Sequence, residues 1–332
     1  MKKFYVSLQG GLGFNFAFAR LAKRLIEKGY EIKVLSPYWD IFEGAGIPYY
    51  KDSEYRDFIF DAKNDDAEII NHRIYDMSDF IYKRLGYKEA WLKLLGLPED
   101  TVSDAEYCHF EMPNKSFTDT HQKVEEIMKA IHEQGYTDYI LVQFWGGQSP
   151  LAVNQTGGDW SKLQYDYVNE PLKRHYPVDK AQEFVNLYHE KHPETAIIEY
   201  TLPNEPKLEN TLQFTVPYHV YYELSKSAKQ AVTIDSSLQH IISGNCPVTV
   251  IWGHSLPENF GYKCNRNIIQ KCRRDDILYF TALGASGARI EYIKPEELLF
   301  EAEKQLTPPK RNTEDAEVVE TKEPEVKSKT KK

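Results

Sequence analysis

A chain of 332 residues, 41% hydrophobic and 13% aromatic, is longer than one hydrophobic core usually spans, so two domains of ordinary size are expected. Its formal net charge of -9 argues against general nucleic-acid binding and against attraction to an anionic membrane. The apolar part of the N-terminus (MKKFYVSLQGG) is too short for a signal core, and no apolar run reaches the roughly 18 residues of a membrane span, which predicts a soluble, cytoplasmic protein with at most peripheral membrane contact.

Phe4 to Leu8 reads as a strand running into Gln9, Gly10, Gly11, Leu12 and Gly13. Phe16, Ala19, Arg20, Leu21, Leu25 and Ile26 then mark an amphipathic helix closed by Gly29, and Glu31 to Leu35 is the next strand. The turn carries the first two glycines of a dinucleotide fingerprint, with Phe16 in the third position; a lone Gly-x-Gly is equally a tight strand-to-helix turn. Ile47 to Tyr50, Phe58 to Phe60 and Glu68 to Asn71 are expected to be short strands separated by polar turns. His72, Arg73, Asp76 and Asp79 follow, where a strand end leads into a helix beginning near Ser78. They read either as proton-transfer groups or as helix-start acids beside an exposed histidine.

Phe80 to Leu97 predicts a pair of helices broken at Gly86, and Ala105 to Met112 an edge strand with His109 packed inside. An amphipathic helix from Asp119, with Val124, Ile127, Met128 and Ile131 on one face, ends at Gly135, where a domain boundary is expected. A second α/β series opens with the strand Tyr139 to Phe144, followed by Trp145, Gly146 and Gly147. The polar, aromatic stretch 151–172 reads as an acceptor-binding loop or a lid. Lys173 and Arg174 precede Tyr176, Pro177 and a helix from Asp179 to Lys191, Thr195 to Tyr200 is a strand, and Val216 to Lys229 a helix with an aromatic start. The stretch 231–257 is a β-α-β unit: a strand to Ile234, a turn of Asp235, Ser236 and Ser237, a helix carrying Leu238, Ile241 and Ile242, and a strand from Val248 to Trp252. That turn can cap its helix, bind an anion beyond the strand end, or do both. Ile277 to Phe280 is a further strand, Pro295 opens a last helix at its N1 position, and 307–332 has the composition of a disordered tail. The four cysteines, Cys108, Cys246, Cys264 and Cys272, have no metal-site spacing and are expected to be free thiols.

Asp235, Ser236, Ser237, His240, Pro247, Gly253 and Pro257 stand in the order of a motif that resembles the C-terminal signature of the heptosyltransferase-like family 9 glycosyltransferases: Asp, Ser or Thr, Gly, two residues, His, then a strand with Pro at its start and Gly at its end. The resemblance implies an α/β fold of two Rossmann-like domains facing across a cleft, the GT-B arrangement, with an acceptor domain at 1–135 and a donor domain at 136–306. It implies transfer of a sugar from a nucleotide-diphosphate sugar to a hydroxyl acceptor such as a glycan, with inversion, no metal and no cofactor beyond that co-substrate. By the same resemblance the donor is held by Asp235, Ser236, Ser237, His240, Gly146, Gly147, Lys173, Arg174 and His219, and the acceptor faces Gly11, Gly13 and Asn15.

Three positions depart from the family pattern. Ser237 stands where Gly is usual, which limits how closely a diphosphate approaches the backbone. His219 stands near the position of a Glu that binds the donor ribose. Phe14 replaces the Asp taken to be the catalytic base, which leaves Asp76 or His72 as candidate replacements, or a reaction without such a base, or a non-catalytic protein that binds a nucleotide sugar or glycan. A nicotinamide dehydrogenase is set aside because the second strand ends in Leu35, Ser36 and Pro37 rather than in an acid, and a nucleotide-sugar epimerase because no paired carboxylates and histidines stand out.

Overall fold

Short β-rich runs alternating with amphipathic helices build two parallel sheets. The structure, a computed structural model, describes residues 2–82, 85–112, 118–146, 175–201, 205–214, 216–253, 255–270 and 290–306. The first sheet has the order β3-β2-β1-β4, from β1 (Lys3–Ser7), β2 (Glu31–Ser36), β3 (Tyr49–Lys51) and β4 (Glu68–Ile70). The second has the order β10-β9-β8-β5-β6-β7, from β5 (Asp138–Gln143), β6 (Thr195–Glu199), β7 (Leu212–Gln213), β8 (Ala231–Ile234), β9 (Val248–Trp252) and β10 (Arg266–Ile269). Every residue of β6, β8 and β9 is buried, as expected where helices cover both faces of a parallel sheet. In each sheet the strand order reverses once, between β1 and β4 and between β5 and β8. Open parallel sheets bind ligands beyond the carboxyl ends of the strands at such reversals.

Helix α1 (Leu12–Glu27) is buried nearly all round its first three turns, Phe14 to Ala22. A helix apolar on every face belongs inside, and α1 lies between its own sheet and helix α10 (Ser237–Ile242) of the second half. One apolar core therefore runs through both halves, from Phe4, Phe16 and Leu21 to Leu141, Tyr221, Leu238 and Trp252. Polar bonds cross the same boundary. Fully buried Arg20 donates to the carbonyl of His240 from Nε at 3.1 Å and from Nη2 at 2.7 Å, and to the carbonyl of Cys108 from Nη1 at 2.7 Å. Tyr218, opening α9 (Tyr218–Ser225), donates to Asp40 at 2.6 Å; Asn259, in α11 (Pro257–Phe260), donates to the carbonyls of Phe80 at 2.9 Å and Leu85 at 3.0 Å.

The other helices are α2 (Trp39–Ala45), α3 (Tyr55–Asn64), α4 (Ser78–Tyr82), α5 (Tyr87–Leu94), α6 (Asp104–Cys108), α7 (Thr118–Glu133), α8 (Val178–Lys191) and α12 (Pro295–Lys304). Among the described residues no helix is long and apolar enough to cross a membrane. Helix α12 begins at Pro295 and turns Leu298, Leu299 and Ala302 inward, as the sequence predicts.

Two predicted strands are helices. Phe58 to Phe60 lies within α3, where Phe58 and Ala62, four residues apart, share the buried face and Phe60 points to solvent. Ala105 to Met112 begins as α6, opened by a capping box in which Ser103 accepts from the Glu106 amide and Glu106 accepts from the Ser103 amide. His109 is exposed and meets Glu111 at 3.1 Å rather than packing inside, because it caps α6 on the outer side. The short strands β7 and β10 carry too few apolar residues to stand out in the sequence. The strand expected at Ile277 to Phe280, the 151–172 insertion and the tail 307–332 lie outside the described residues.

Candidate functional site

Both strand-order reversals bring candidate residues to the carboxyl edges of the sheets. On the second sheet, β5 ends beside Gly146 and β8 ends at Asp235. The Asp235 carboxylate accepts from Gln239 Nε2 at 2.9 Å and from the Ser255 hydroxyl, which ties the turn to the loop after β9. Ser236 is the N-cap residue of α10, yet its hydroxyl makes no capping bond; it is given to Gln143 Oε1 at the end of β5. Simple N-capping is therefore not what this serine does. Gly146 lies against the same side chain, since a Cβ there would stand 3.1 Å from Ser236 Cβ. Asp235 and Ser236 are buried and braced, while Ser237 is half-buried.

On the first sheet, the turn after β1 is held by Asn15. Its Nδ2 donates to the carbonyls of Gly10 at 3.3 Å and Gly11 at 3.0 Å, and its Oδ1 accepts from Ser36 Oγ at 2.7 Å. Asn15 is fully buried, so it shapes the glycine turn. Phe14 is enclosed by aromatic rings: Tyr75 stacks on it at 5.3 Å, and Trp91 and Tyr87 lie at 5.5 and 5.9 Å. The single turn of 3-10 helix at Ile74–Asp76, beyond β4, is thus packed against the glycine turn through Tyr75. Asp76 and His72 are exposed at that reversal, with Asp76 paired to Arg73 at 3.2 Å.

The two edges meet. A Cβ on Gly13 would stand 2.5 Å from His240 Cδ2 and 3.3 Å from Ser237 Cα, so only glycine lets the turn after β1 touch the turn after β8. His240 is buried, with Nδ1 at 2.8 Å from the Tyr262 hydroxyl and its ring 5.7 Å from that of Tyr87. His219, in the first turn of α9, is half-buried. Burial holds its pKa below the usual histidine value, with Lys123 adding to the effect and Asp40 opposing it.

Gly147, Lys173 and Arg174 lie outside the described residues. Arg174 directly precedes His175, whose backbone bridges Trp145 just past β5 while the Tyr176 amide donates to the Phe144 carbonyl at 2.9 Å. The sequence reading missed Gln143, Gln239, Ser255 and Tyr262. Each is a bracing partner from another element; only Gln239, four residues beyond Asp235, carried a local signal.

No protein-family model and no curated protein matches the chain. Solved structures do. A glycosyl transferase of family 9 from Veillonella parvula is similar with a TM-score of 0.59 at 13% identity, covering 92% of this chain and 97% of that one. This is the GT-B fold. Two Escherichia coli structures share the GT-B arrangement along nearly their whole length. ADP-heptose lipopolysaccharide heptosyltransferase II has a TM-score of 0.53 at 10% identity, covering 92% of this chain and 98% of that one. A heptosyltransferase solved with ADP has a TM-score of 0.50 at 9% identity, covering 91% and 99%.

Proposed function

We propose that the protein is a glycosyltransferase that moves a sugar from a nucleotide-diphosphate sugar to a hydroxyl acceptor, inverting the anomeric carbon without a metal ion. One observation carries this reading: the ligand-binding edges of two Rossmann-like sheets meet at Gly13, Ser237 and His240, with a GT-B frame around them. The half-buried Ser237 faces the diphosphate together with Gly146, which lies against Ser236, and Asp235 and Ser236 hold that turn in place through Gln239, Ser255 and Gln143. Lys173 and Arg174 offset the negative charge that grows on the leaving diphosphate. His219 faces the donor ribose. The acceptor lies over Gly11 and Gly13 of the 1–135 domain, and the donor in the 136–306 domain.

In the transfer step the acceptor oxygen attacks the anomeric carbon from the side away from the diphosphate. The bond to the diphosphate breaks and its electron pair leaves with that group. The acceptor proton passes to Asp76 or His72, which stand at the strand-order reversal that also bears the glycine turn. A second reading, binding without turnover, draws on Phe14: the position that carries the base in the family is here an aromatic ring boxed in by three others.

Release of free sugar from a panel of nucleotide sugars distinguishes the two. Asp76→Ala is expected to lower that rate by about 10²–10⁴-fold, the usual worth of a positioned base, with donor binding unchanged. Tight donor binding with no turnover in the parent protein would favour the binding reading, and an unaltered rate in Asp76→Ala would pass the role to His72.

A further inference from the structure

The two halves also meet along a seam that sugar transfer does not use. On one side is α6; on the other is the stretch 262–264 that follows α11. Three side-chain pairs line up across it. The Asp104 carboxylate takes the Lys263 ammonium at 2.5 Å, the Tyr107 ring stacks on Tyr262 with centroids 5.4 Å apart, and Cys108 and Cys264, next in line, lie close enough to perturb each other's thiol. The backbone of Cys108 is pinned from two further directions. Arg20, lying 4.9 Å over the Tyr262 ring, donates to its carbonyl at 2.7 Å. Gly244 lies so close that a Cβ there would come within 2.2 Å of the same oxygen. Two thiols 156 positions apart in the chain are thereby brought to one place on the seam by contacts that do not depend on them.

We propose that Cys108 and Cys264 are a peroxide-sensitive pair whose oxidation to a disulfide staples the two halves of the molecule together. A cavity of about 330 Å³, lined by Cys108 with Tyr107, Tyr262, Lys263 and Lys88 among others, gives a small oxidant access to the buried sulfur. The two cysteines have different chemistry. The neighbouring Cys264, helped by Arg20 and opposed by burial and Asp104, holds the Cys108 thiol below its ordinary pKa, which favours the reactive thiolate. Its exposed partner Cys264 is raised by the same interaction with Cys108, and stays a thiol until it is needed. Cys246, raised to about 12 by burial, is a built-in unreactive control.

The chemistry balances with hydrogen peroxide as oxidant. The Cys108 thiolate attacks one peroxide oxygen, the O–O bond breaks, and the departing hydroxide leaves as water after taking a proton, which makes a sulfenic acid. Cys264 then loses its proton and attacks that sulfur; the S–S bond forms, the S–O bond breaks, and a second water departs. Two thiols give up two electrons, and one peroxide takes them.

The test is mass spectrometry of the full-length protein after brief treatment with hydrogen peroxide, alkylation of remaining thiols and digestion without reductant. The expected product is a peptide pair joined through Cys108 and Cys264, with Cys246 alkylated and a melting temperature several degrees higher that falls back on adding dithiothreitol. In Cys264→Ser, an exposed and conservative change, the joined pair disappears and dimedone traps a sulfenic acid on Cys108. Finding both cysteines alkylated after oxidation, or either one joined to Cys246 or Cys272 instead, overturns the proposal.

Discussion

Arg20 is fully buried and spends its donors on backbone carbonyls from opposite halves of the molecule, while its guanidinium lies over the rings of Phe110 at 5.2 Å and Tyr262 at 4.9 Å. A planar fork with fixed donor directions suits this place, and a lysine ammonium does not. Arg20→Met fills the space but leaves the carbonyls of His240 and Cys108 without their partner. Each orphaned acceptor costs on the order of 1–3 kcal/mol, so a loss of about 2–6 kcal/mol is expected in urea denaturation. The residue was visible in the sequence only as one position on an amphipathic helix, because its partners lie 88 and 220 residues away. Asn15 carries the same lesson. Beside a glycine turn it reads as a ligand group, whereas the structure spends both its polar ends on Gly10, Gly11 and Ser36. Phe14 was legible as a departure from the family pattern, but the aromatic box that encloses it comes from α5 and the turn before α4.

At the scale of elements, the β-α-β units around Gly11 and Asp235 were legible because each strand is an apolar run cut off by a turn of glycine or of Asp and Ser, with helical spacing after it. The errors fell on short elements. Helix α6 is five residues long and apolar enough to pass for a strand, though its capping box, Ser103 with Glu106, was there to be read. Once formed, α6 is fastened at its start by charge. Asp104 meets Lys88 and Lys263, each at 2.5 Å. Burial pushes its pKa up, but the hydrogen bonds from Lys263 and Lys88 outweigh it and the net shift is downward. For a carboxylate with a depressed native pKa, the stability it contributes is complete above its unfolded pKa of roughly 4 and is lost as pH falls through the native value. The stability difference between the parent protein and Asp104→Asn is therefore expected to be full at pH 7 and to shrink toward zero in strong acid. Chemical denaturation at a series of pH values checks this, and a difference independent of pH would show that the two lysines do not act through the charge of Asp104.

At the scale of the whole molecule, the sequence indicated two Rossmann-like halves, and the structure adds how they are joined. The core is continuous through α1 and α10, so the two strand-order reversals face each other at a fixed distance set by Gly13. That joint was not legible, since its partners are brought together only by tertiary packing. Residues 147–174, after β5, and 271–289, after β10, lie outside the described residues. The claim that matters most is that the turn after β8 receives a nucleotide diphosphate. A thermal-shift panel of nucleoside diphosphates and their sugars tests it directly. A ligand at a hundredfold excess over its Kd stabilises by about 2.7 kcal/mol, so at least one member is expected to raise the melting temperature by several degrees. That rise should vanish in Asp235→Ala, which removes the brace on the turn, and in the double variant Lys173→Ala/Arg174→Ala. A panel in which no nucleotide moves the melting temperature, or one whose shift survives in both variants, would contradict the account.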